Sequence, residues 1–164
     1  MSILVVYYSY GGNTRSVAER VHAKLGGDIA EIRTVEPYTG SYDDVVEQGQ
    51  EEVNAGFKPA IQPLGVNVAD YDDIVIGTPV WWYTFAPAAK TFLEANDWTN
   101  KNVYPFATNG GWLGHTPQDF ERACRGAKVE RALNIRFDGN RQATPESAVD
   151  RWIDAIKQRT GGKN

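Results

Sequence analysis

The chain opens on a run of apolar residues that constrains its fold more than any other feature. Ile3–Tyr8 reads ILVVYY, with no polar residue at alternate positions. A strand with one solvated face alternates apolar and polar side chains, whereas a strand buried on both faces of a parallel sheet does not. Residues 73–78 contain a second run of this kind. The sequence therefore predicts a parallel sheet with both faces covered.

Between the strands, the spacing of apolar residues changes to the period of a helix. Val17, Val21 and Leu25 fall on one helical face, and Gly26-Gly27 follows them as an end signal. The remaining predicted strands span residues 28–34, 102–108 and 129–137, and the remaining predicted helices span residues 43–57, 86–95 and 116–124, with a last helix opening at Thr144.

Three of these helices carry further predictions. Helix 116–124 is expected to begin with Thr116 as its cap and Pro117 as its first residue. The residues expected to face inward are Val46, Val53 and Phe57 in helix 43–57, and Ala148, Trp152 and Ile156 in the last helix.

Five alternations of strand and helix predict the α/β class, as a three-layer sandwich with helices on both faces of a five-stranded parallel sheet. Such a sheet favours the strand order 2-1-3-4-5, which reverses between strands 1 and 3. The weak alternation in residues 28–34 suits an edge strand. A ligand of such a sheet lies outside the carboxyl ends of the strands, beside the reversal. We expect one domain over residues 1–164, with its site in the loops after strands 1, 3 and 4.

Composition and charge exclude several classes of protein. No apolar run approaches the ~20 residues that a membrane-spanning helix needs, and no basic segment precedes the first strand as in a secretory signal. Cys124 is the one cysteine in the sequence, which excludes an intramolecular disulfide and a multi-cysteine metal site. The net charge of −4 argues against a nucleic-acid partner. A protein of the reducing cytoplasm is expected.

The loop after the first strand is rich in glycine and hydroxyl groups and opens a helix. N–H groups at a helix start lack an intrahelical acceptor and lie at the positive end of the dipole, so they attract phosphate. Glycine lets the backbone curl around the phosphate oxygens. The loop lacks both the Gly-Lys-Ser/Thr ending of a P-loop and the G-x-G-x-x-G of a dinucleotide loop. The residues predicted to hold phosphate are Ser9, Tyr10, Gly11, Gly12, Asn13 and Thr14.

The loop after the third strand carries three consecutive aromatic residues. Loops lie at the surface, and exposed aromatic rings promote aggregation unless something covers them. Stacking of one or two of these rings on a flat ligand explains the run. The candidate binding residues of this loop are Thr78, Pro79, Val80, Trp81, Trp82 and Tyr83.

The loop after the fourth strand is rich in glycine, which permits close approach of the backbone to a ligand edge. Its candidate residues are Thr108, Asn109, Gly110, Gly111 and Gly114. His115 is either a proton carrier or a bystander, and Trp112 belongs either to a substrate lid or to a dimer contact. Together the three loops form a phosphate cradle, an aromatic platform and a glycine-rich rim, which describes a site for a phosphorylated planar ring such as FMN.

These motifs resemble those of the flavodoxin family, especially its short members with S-x-T-G-N-T after strand 1 and P-x-W-W after strand 3. The matching segments are residues 9–14, 79–82 and 108–111, in that order. The resemblance extends from Ile3 to about Ile156 and implies that the first loop binds the FMN phosphate while the other two flank the isoalloxazine ring. One departure is Gly11, which stands where the family often has Thr.

The resemblance implies an FMN-binding redox protein that transfers electrons through a non-covalently bound flavin. The alternatives are an FMN-dependent NAD(P)H quinone or nitro reductase, and a non-redox binding module on the same fold, which the missing hydroxyl at Gly11 favours. Redox partner proteins or NAD(P)H are the implied partners besides FMN. No catalytic side chain and no metal are expected, and Asp97 is a candidate for an acid close to the flavin.

Overall fold

Five parallel strands form the centre of the structure, a computed structural model that describes residues 3–161. They are β1 (Ile3–Tyr8), β2 (Asp28–Ile32), β3 (Asp73–Trp81), β5 (Asn102–Asn109) and β7 (Leu133–Asp138), and they lie in the order β2-β1-β3-β5-β7. Numbered as predicted strands, this is the order 2-1-3-4-5. The α/β class, the parallel pairing and the edge position of β2 are confirmed.

Three short strands extend the sheet to eight, beyond the five predicted. β4 (Thr84–Phe85) and β8 (Arg141–Gln142) fold back antiparallel on β3 and β7, and β6 (Lys128–Val129) adds parallel pairing at the start of β5. The prediction of one continuous strand over residues 129–137 is wrong, because the chain leaves the ladder between Val129 and Leu133 and pairs with β5 again further along.

Helices cover both faces of this sheet in the part of the chain that the structure describes. They are α1 (Asn13–Leu25), α2 (Tyr42–Ala55), α3 (Pro87–Glu94), α4 (Thr116–Ala123) and α5 (Glu146–Thr160), with a 3₁₀ helix at Val68–Asp70. One apolar core joins α1 and α5 to the sheet, and a second core joins α3 and α4 to its other face. The predicted three-layer arrangement is therefore confirmed.

The inward face of α2 differs from the prediction. Val45 and Gly49 are its buried residues, whereas Val46 and Val53 are half-buried and Phe57 lies beyond the helix end with 49% exposure. The reason is a ring packed on the helix, since a Cβ at position 49 would lie 3.2 Å from the Trp81 ring. The absence of a side chain at Gly49 makes room for the Trp81 indole. The spacing of apolar residues in α2 does not predict this contact.

Two other helix predictions need correction. In α5 the fully buried apolar residues are Val149, Ile153 and Ile156, while Ala148 and Trp152 are half-buried. In α4 the capping position belongs to His115, so Thr116 is the first helical residue and lies fully buried. In α5 the buried face is shifted by one residue at two positions, about 100° around the helix axis, whereas Ile156 is buried as predicted.

Cys124 is a buried residue at the end of α4. The thiol of Cys124 is buried in the core, and burial raises its pKa to about 12, which keeps it in the unreactive protonated form. Within residues 3–161, no helix has the length and apolar character required to cross a bilayer.

Candidate functional site

The carboxyl ends of β1, β3 and β5 are neighbours, so the three loops predicted to bind a ligand meet at one end of the sheet. Two contacts bring them together directly. The hydroxyl groups of Thr14 and Thr108 lie 2.7 Å apart and join the first loop to β5. The backbone N–H of His115 donates to the Tyr83 carbonyl at 2.8 Å and joins the second loop to the third. The spatial grouping of these loops follows from the strand order.

The first loop has the backbone of an anion cradle. Gly11 and Gly12 have φ of 84° and 99°, a left-handed conformation that side chains rarely adopt, and the Cβ positions of both face open space. Gly12 caps α1 without a side-chain hydrogen bond, and Ser9 Oγ accepts the Arg15 N–H at 3.1 Å. The start of α1 therefore presents N–H groups and a serine hydroxyl beside a space that no side chain fills.

Asn13 and Thr14 anchor this cradle instead of pointing freely outward. Asn13 Nδ2 donates to the Gly139 carbonyl at 2.9 Å, which ties the loop to the turn between β7 and β8. Thr14 is 1% exposed and Thr108 4% exposed, and their hydroxyl groups form a buried pair. Neither hydrogen bond can be predicted from the sequence, because the two residues of each pair are more than 90 positions apart.

Thr14→Val is expected to destabilise the protein by about 1–2 kcal/mol, because the buried Thr108 hydroxyl loses its partner. The double variant Thr14→Val/Thr108→Val removes both hydroxyl groups and is expected to recover most of that loss. Urea unfolding of the four proteins in this cycle measures the coupling. Equal and additive losses would show that the two hydroxyl groups do not depend on each other.

The aromatic segment is not the simple loop that the sequence predicts. β3 continues to Trp81, and the chain turns back at once into β4, with Trp81 paired to Thr84. The two turn residues, Trp82 and Tyr83, have φ of 49° and 73°. Positive φ at both central positions defines a type I′ turn, which usually contains Asn-Gly. Bulky residues there cost about 1–3 kcal/mol each, a strain that is common at ligand sites.

The aromatic rings divide into two groups. Trp81 packs edge-to-face against Tyr8, Tyr10 and Tyr38, with ring centroids 5.1–6.1 Å apart. Burial and a 2.6 Å hydrogen bond to Glu52 raise the pKa of Tyr38 well above its usual value, so its phenol stays neutral. This group fixes the first loop against α2 and has a structural role.

The second group lies at the mouth of the site. Trp82 Nε1 donates to the Val46 carbonyl of α2 at 3.1 Å, which holds the turn down. The Tyr83 ring lies 4.6 Å from the Trp112 ring, and these side chains are 46% and 66% exposed. Trp112 was missing from the sequence-derived set of binding residues. Together with Tyr10 of the first loop, which is 42% exposed, Tyr83 and Trp112 are thus the aromatic side chains of the three loops that a flat ligand can cover.

The rest of the aromatic segment supports the turn. Thr78 is fully buried, and its hydroxyl donates to the Pro79 carbonyl and accepts the Ala86 N–H. Pro79 and Val80 are half-buried. A cavity of about 220 Å³ lies beside the turn, lined by Tyr10, Tyr42, Val45, Val46, Gly49, Val80, Trp81 and Trp82. Through its hydrogen bonds to Pro79 and Ala86, Thr78 connects the two sides of the hairpin and holds it in place.

The third loop forms a rim that is held from both sides. Asn109 Nδ2 donates to Asn134 Oδ1 at 2.6 Å. The Oδ1 atom of Asn109 accepts the Gly111 N–H at 3.0 Å. Gly110 and Gly111 leave open space at their Cβ positions. Gly114 has a φ of 63°, and a Cβ there would lie 2.3 Å from the Tyr83 carbonyl oxygen. The rim and the aromatic turn therefore touch through backbone atoms.

One nominated residue lies outside this site. Asp97 follows α3 and precedes β5, at the opposite end of the sheet from the three loops, and it accepts hydrogen bonds from Thr99 that lower the pKa of its carboxyl. The expectation of an acid close to the ligand at Asp97 is wrong. His115 does contact a carboxylate, that of Asp119. The two residues are four positions apart at a helix start, a spacing that brings side chains together. The sequence analysis did not use this spacing to predict a contact between His115 and Asp119.

Comparison with known proteins places these features in a family. The flavodoxin family matches residues 2–156. A candidate flavoprotein from Bacteroides eggerthii is 33% identical, with 94% of this chain and 97% of that chain covered and a TM-score of 0.75. A flavoprotein from Lactobacillus acidophilus, solved in complex with FMN, is 23% identical, with coverage of 92% and 97% and a TM-score of 0.72. No curated protein matched the chain.

Proposed function

This chain belongs to the flavodoxin family, and we propose that it binds FMN non-covalently and transfers electrons through it. One observation carries the proposal: a glycine cradle at the start of α1, an exposed aromatic pair and a glycine rim meet at the strand-order reversal. The Lactobacillus acidophilus flavoprotein, which shares the fold, is solved in complex with FMN.

The residues present fit the two halves of FMN. A phosphate dianion suits the N–H groups at the start of α1, with Ser9 and the open space beside Gly11 and Gly12. The absent hydroxyl at Gly11 removes one side-chain donor but leaves the backbone donors in place. A flat ring suits Tyr83 and Trp112, whose rings pack on each other and are 46% and 66% exposed.

FMN supplies the redox chemistry when bound, and the chain supplies binding, orientation and exclusion of water. In this proposal the residues that hold the phosphate are Ser9, Tyr10, Gly11, Gly12, Asn13 and Thr14. The residues that flank the ring come from the hairpin, Thr78 to Tyr83, and from the rim, Thr108 to Gly111 with Gly114. The Gly111 N–H now donates to Asn109 Oδ1. Rotation of the Gly110–Gly111 peptide frees this N–H and changes which backbone group faces the ring edge.

Two further candidate functions use the same crevice. The first is an NAD(P)H-dependent quinone or nitro reductase, favoured by a large cavity that adjoins the aromatic turn through Thr84 and His115. The second is a non-redox binding module, which Gly11 favours. We infer a cytoplasmic protein that receives electrons from redox partners or from NAD(P)H, and the buried thiol of Cys124 suits a reducing compartment.

The visible absorption spectrum of the purified protein tests the proposal. After addition of FMN and passage through a desalting column, a flavin spectrum with quenched fluorescence is expected to remain with the protein, because aromatic rings that contact a flavin quench it. Rapid oxidation of added NADH or NADPH by this holoprotein alone would identify the reductase. A flavin that elutes entirely in the small-molecule fraction, with no change in protein fluorescence, would contradict FMN binding and favour the binding module.

A further inference from the structure

The proposed phosphate cradle, residues 9–14, contains no charged side chain. A phosphate monoester such as that of FMN carries a charge of about −1.5 to −2 at pH 7. Two of the side chains of the cradle, those of Asn13 and Thr14, are already hydrogen-bonded to Gly139 and Thr108. Positive charge for the phosphate must therefore come from the dipole of α1 or from a side chain outside these six residues.

Arg15 is the next residue of the chain and the third residue of α1. Its backbone N–H donates to Ser9 Oγ at 3.1 Å, which places Arg15 beside the cradle. Side chains on a helix lean toward its N-terminus, so that of Arg15 is directed toward the first turn. The next basic residue of α1, Arg20, lies more than one turn further along the helix. Arg15 therefore supplies the positive charge of α1 that is nearest to the proposed phosphate site.

The contacts of Arg15 hold its guanidinium at the same end of the sheet as the cradle. Arg15 Nη2 donates to Glu31 Oε2 at 2.6 Å, and the guanidinium is also hydrogen-bonded to the Tyr7 hydroxyl. Tyr7 and Glu31 are paired across β1 and β2, each one residue before the carboxyl end of its strand. The Arg15 side chain is 48% exposed, so it is free to change rotamer on its solvent side.

The Glu31 carboxylate does not depend on Arg15 alone. Arg33 donates to Glu31 Oε1 through Nε at 3.1 Å and through Nη2 at 2.9 Å, whereas Arg15 binds the other oxygen. Partial burial acts to raise the pKa of Glu31, but the hydrogen bonds from both guanidinium groups hold this pKa below its usual value. The carboxylate is therefore ionised at neutral pH, and it keeps an arginine partner when Arg15 moves away.

We propose that Arg15 turns from Glu31 to the phosphate of a bound ligand and thereby selects phosphorylated ligands over neutral ones. The inference rests on the proposed function, since it concerns the same cradle. The planar guanidinium fork matches two phosphate oxygens, whereas at Glu31 it contacts one oxygen of a carboxylate that Arg33 also neutralises. Water screens an exposed ion pair, so the contact with Glu31 is given up at little cost. Glu31 thus competes with the phosphate for Arg15.

Fluorescence titration of the apoprotein with FMN and with riboflavin tests the proposal. Arg15→Gln is expected to lower the affinity for FMN at least roughly tenfold and to leave the affinity for riboflavin within about a factor of two. Arg15→Lys, which keeps the charge, is expected to restore part of the loss. Glu31→Gln removes the competitor and is expected to raise the affinity for FMN about threefold, and an unchanged affinity would overturn the exchange. Arg20→Gln, which removes a charge from the same helix away from the cradle, is the matched control and should behave as wild type.

A second measurement uses inorganic phosphate in place of FMN. Phosphate added to the apoprotein is expected to shift the NMR signals of the Arg15 Nε–H and of the Gly12 amide saturably, and that of the Arg20 Nε–H not at all. Unchanged Arg15 signals, or equal losses of FMN affinity in Arg15→Gln and Arg20→Gln, would overturn the role of Arg15 while leaving FMN binding intact. Wild-type protein that responds to phosphate at Arg15 but retains no FMN would instead overturn the proposed function and leave the anion site in place.

Discussion

Riboflavin is expected to bind this protein roughly a thousandfold more weakly than FMN. The two ligands share the isoalloxazine ring and the ribityl chain, so the difference isolates the phosphate. Roughly three hydrogen bonds from N–H groups or hydroxyls to a charged oxygen, at about 1.5 kcal/mol each, give about 4.5 kcal/mol, which corresponds to a ratio of Kd values on the order of a thousand. Fluorescence titration of the apoprotein with each ligand measures both constants.

A single glycine substitution is expected to reduce this preference for FMN over riboflavin. Gly12→Ala forces a side chain into a backbone conformation with φ of 99° at the first turn of α1, so the N–H groups move from their positions. The affinity for FMN is expected to fall at least tenfold, and the affinity for riboflavin to stay within a factor of two. Gly65→Ala is the matched control, because its φ of 80° carries similar strain outside the three loops. Equal losses for both ligands would place the phosphate elsewhere.

The sequence predicts the sheet well because burial on both faces of a strand leaves a direct mark in it. ILVVYY in β1 has no polar position, so its assignment required no knowledge of other strands. Five alternating elements then left one favoured strand order, and that order places the loops after β1, β3 and β5 at the same end of the sheet. Strand assignment, which depends on local periodicity, and strand order, which depends on topology, could therefore be predicted from the sequence.

The parts that the sequence did not predict depend on contacts between distant residues. The hairpin at Trp82 and Tyr83 lacks the glycine or asparagine that marks a type I′ turn, and its strain is offset by contacts such as that of Trp82 with Val46. The face of α2 is set by the Trp81 ring over Gly49, which hydrophobic spacing does not show. The tie from Asn13 to Gly139 joins opposite ends of the chain. Each of these features positions the candidate site.

Gly114→Ala is expected to be the most damaging single substitution in the site. A Cβ at this position would lie 2.3 Å from the Tyr83 carbonyl oxygen, and φ of 63° disfavours any side chain. The left-handed backbone costs about 1–2 kcal/mol, and displacement of the rigid contact adds about 1–3 kcal/mol, so a loss of about 3 kcal/mol is expected in the free energy of unfolding. Urea unfolding of the apoprotein measures this loss.

The same substitution separates the rim from the aromatic turn, which is its effect on the site. The His115 N–H donates to the Tyr83 carbonyl, and Trp112 packs on the Tyr83 ring, so both contacts move with the displaced loop. We expect the affinity for FMN to fall about a hundredfold and the affinity for riboflavin by the same factor, because the wall of the ring site is lost and the phosphate cradle is not. Gly65→Ala is again the control, since its φ of 80° carries backbone strain outside the three loops and its Cβ position is open. A selective loss of FMN affinity in Gly114→Ala would show that the rim serves the phosphate and not the ring.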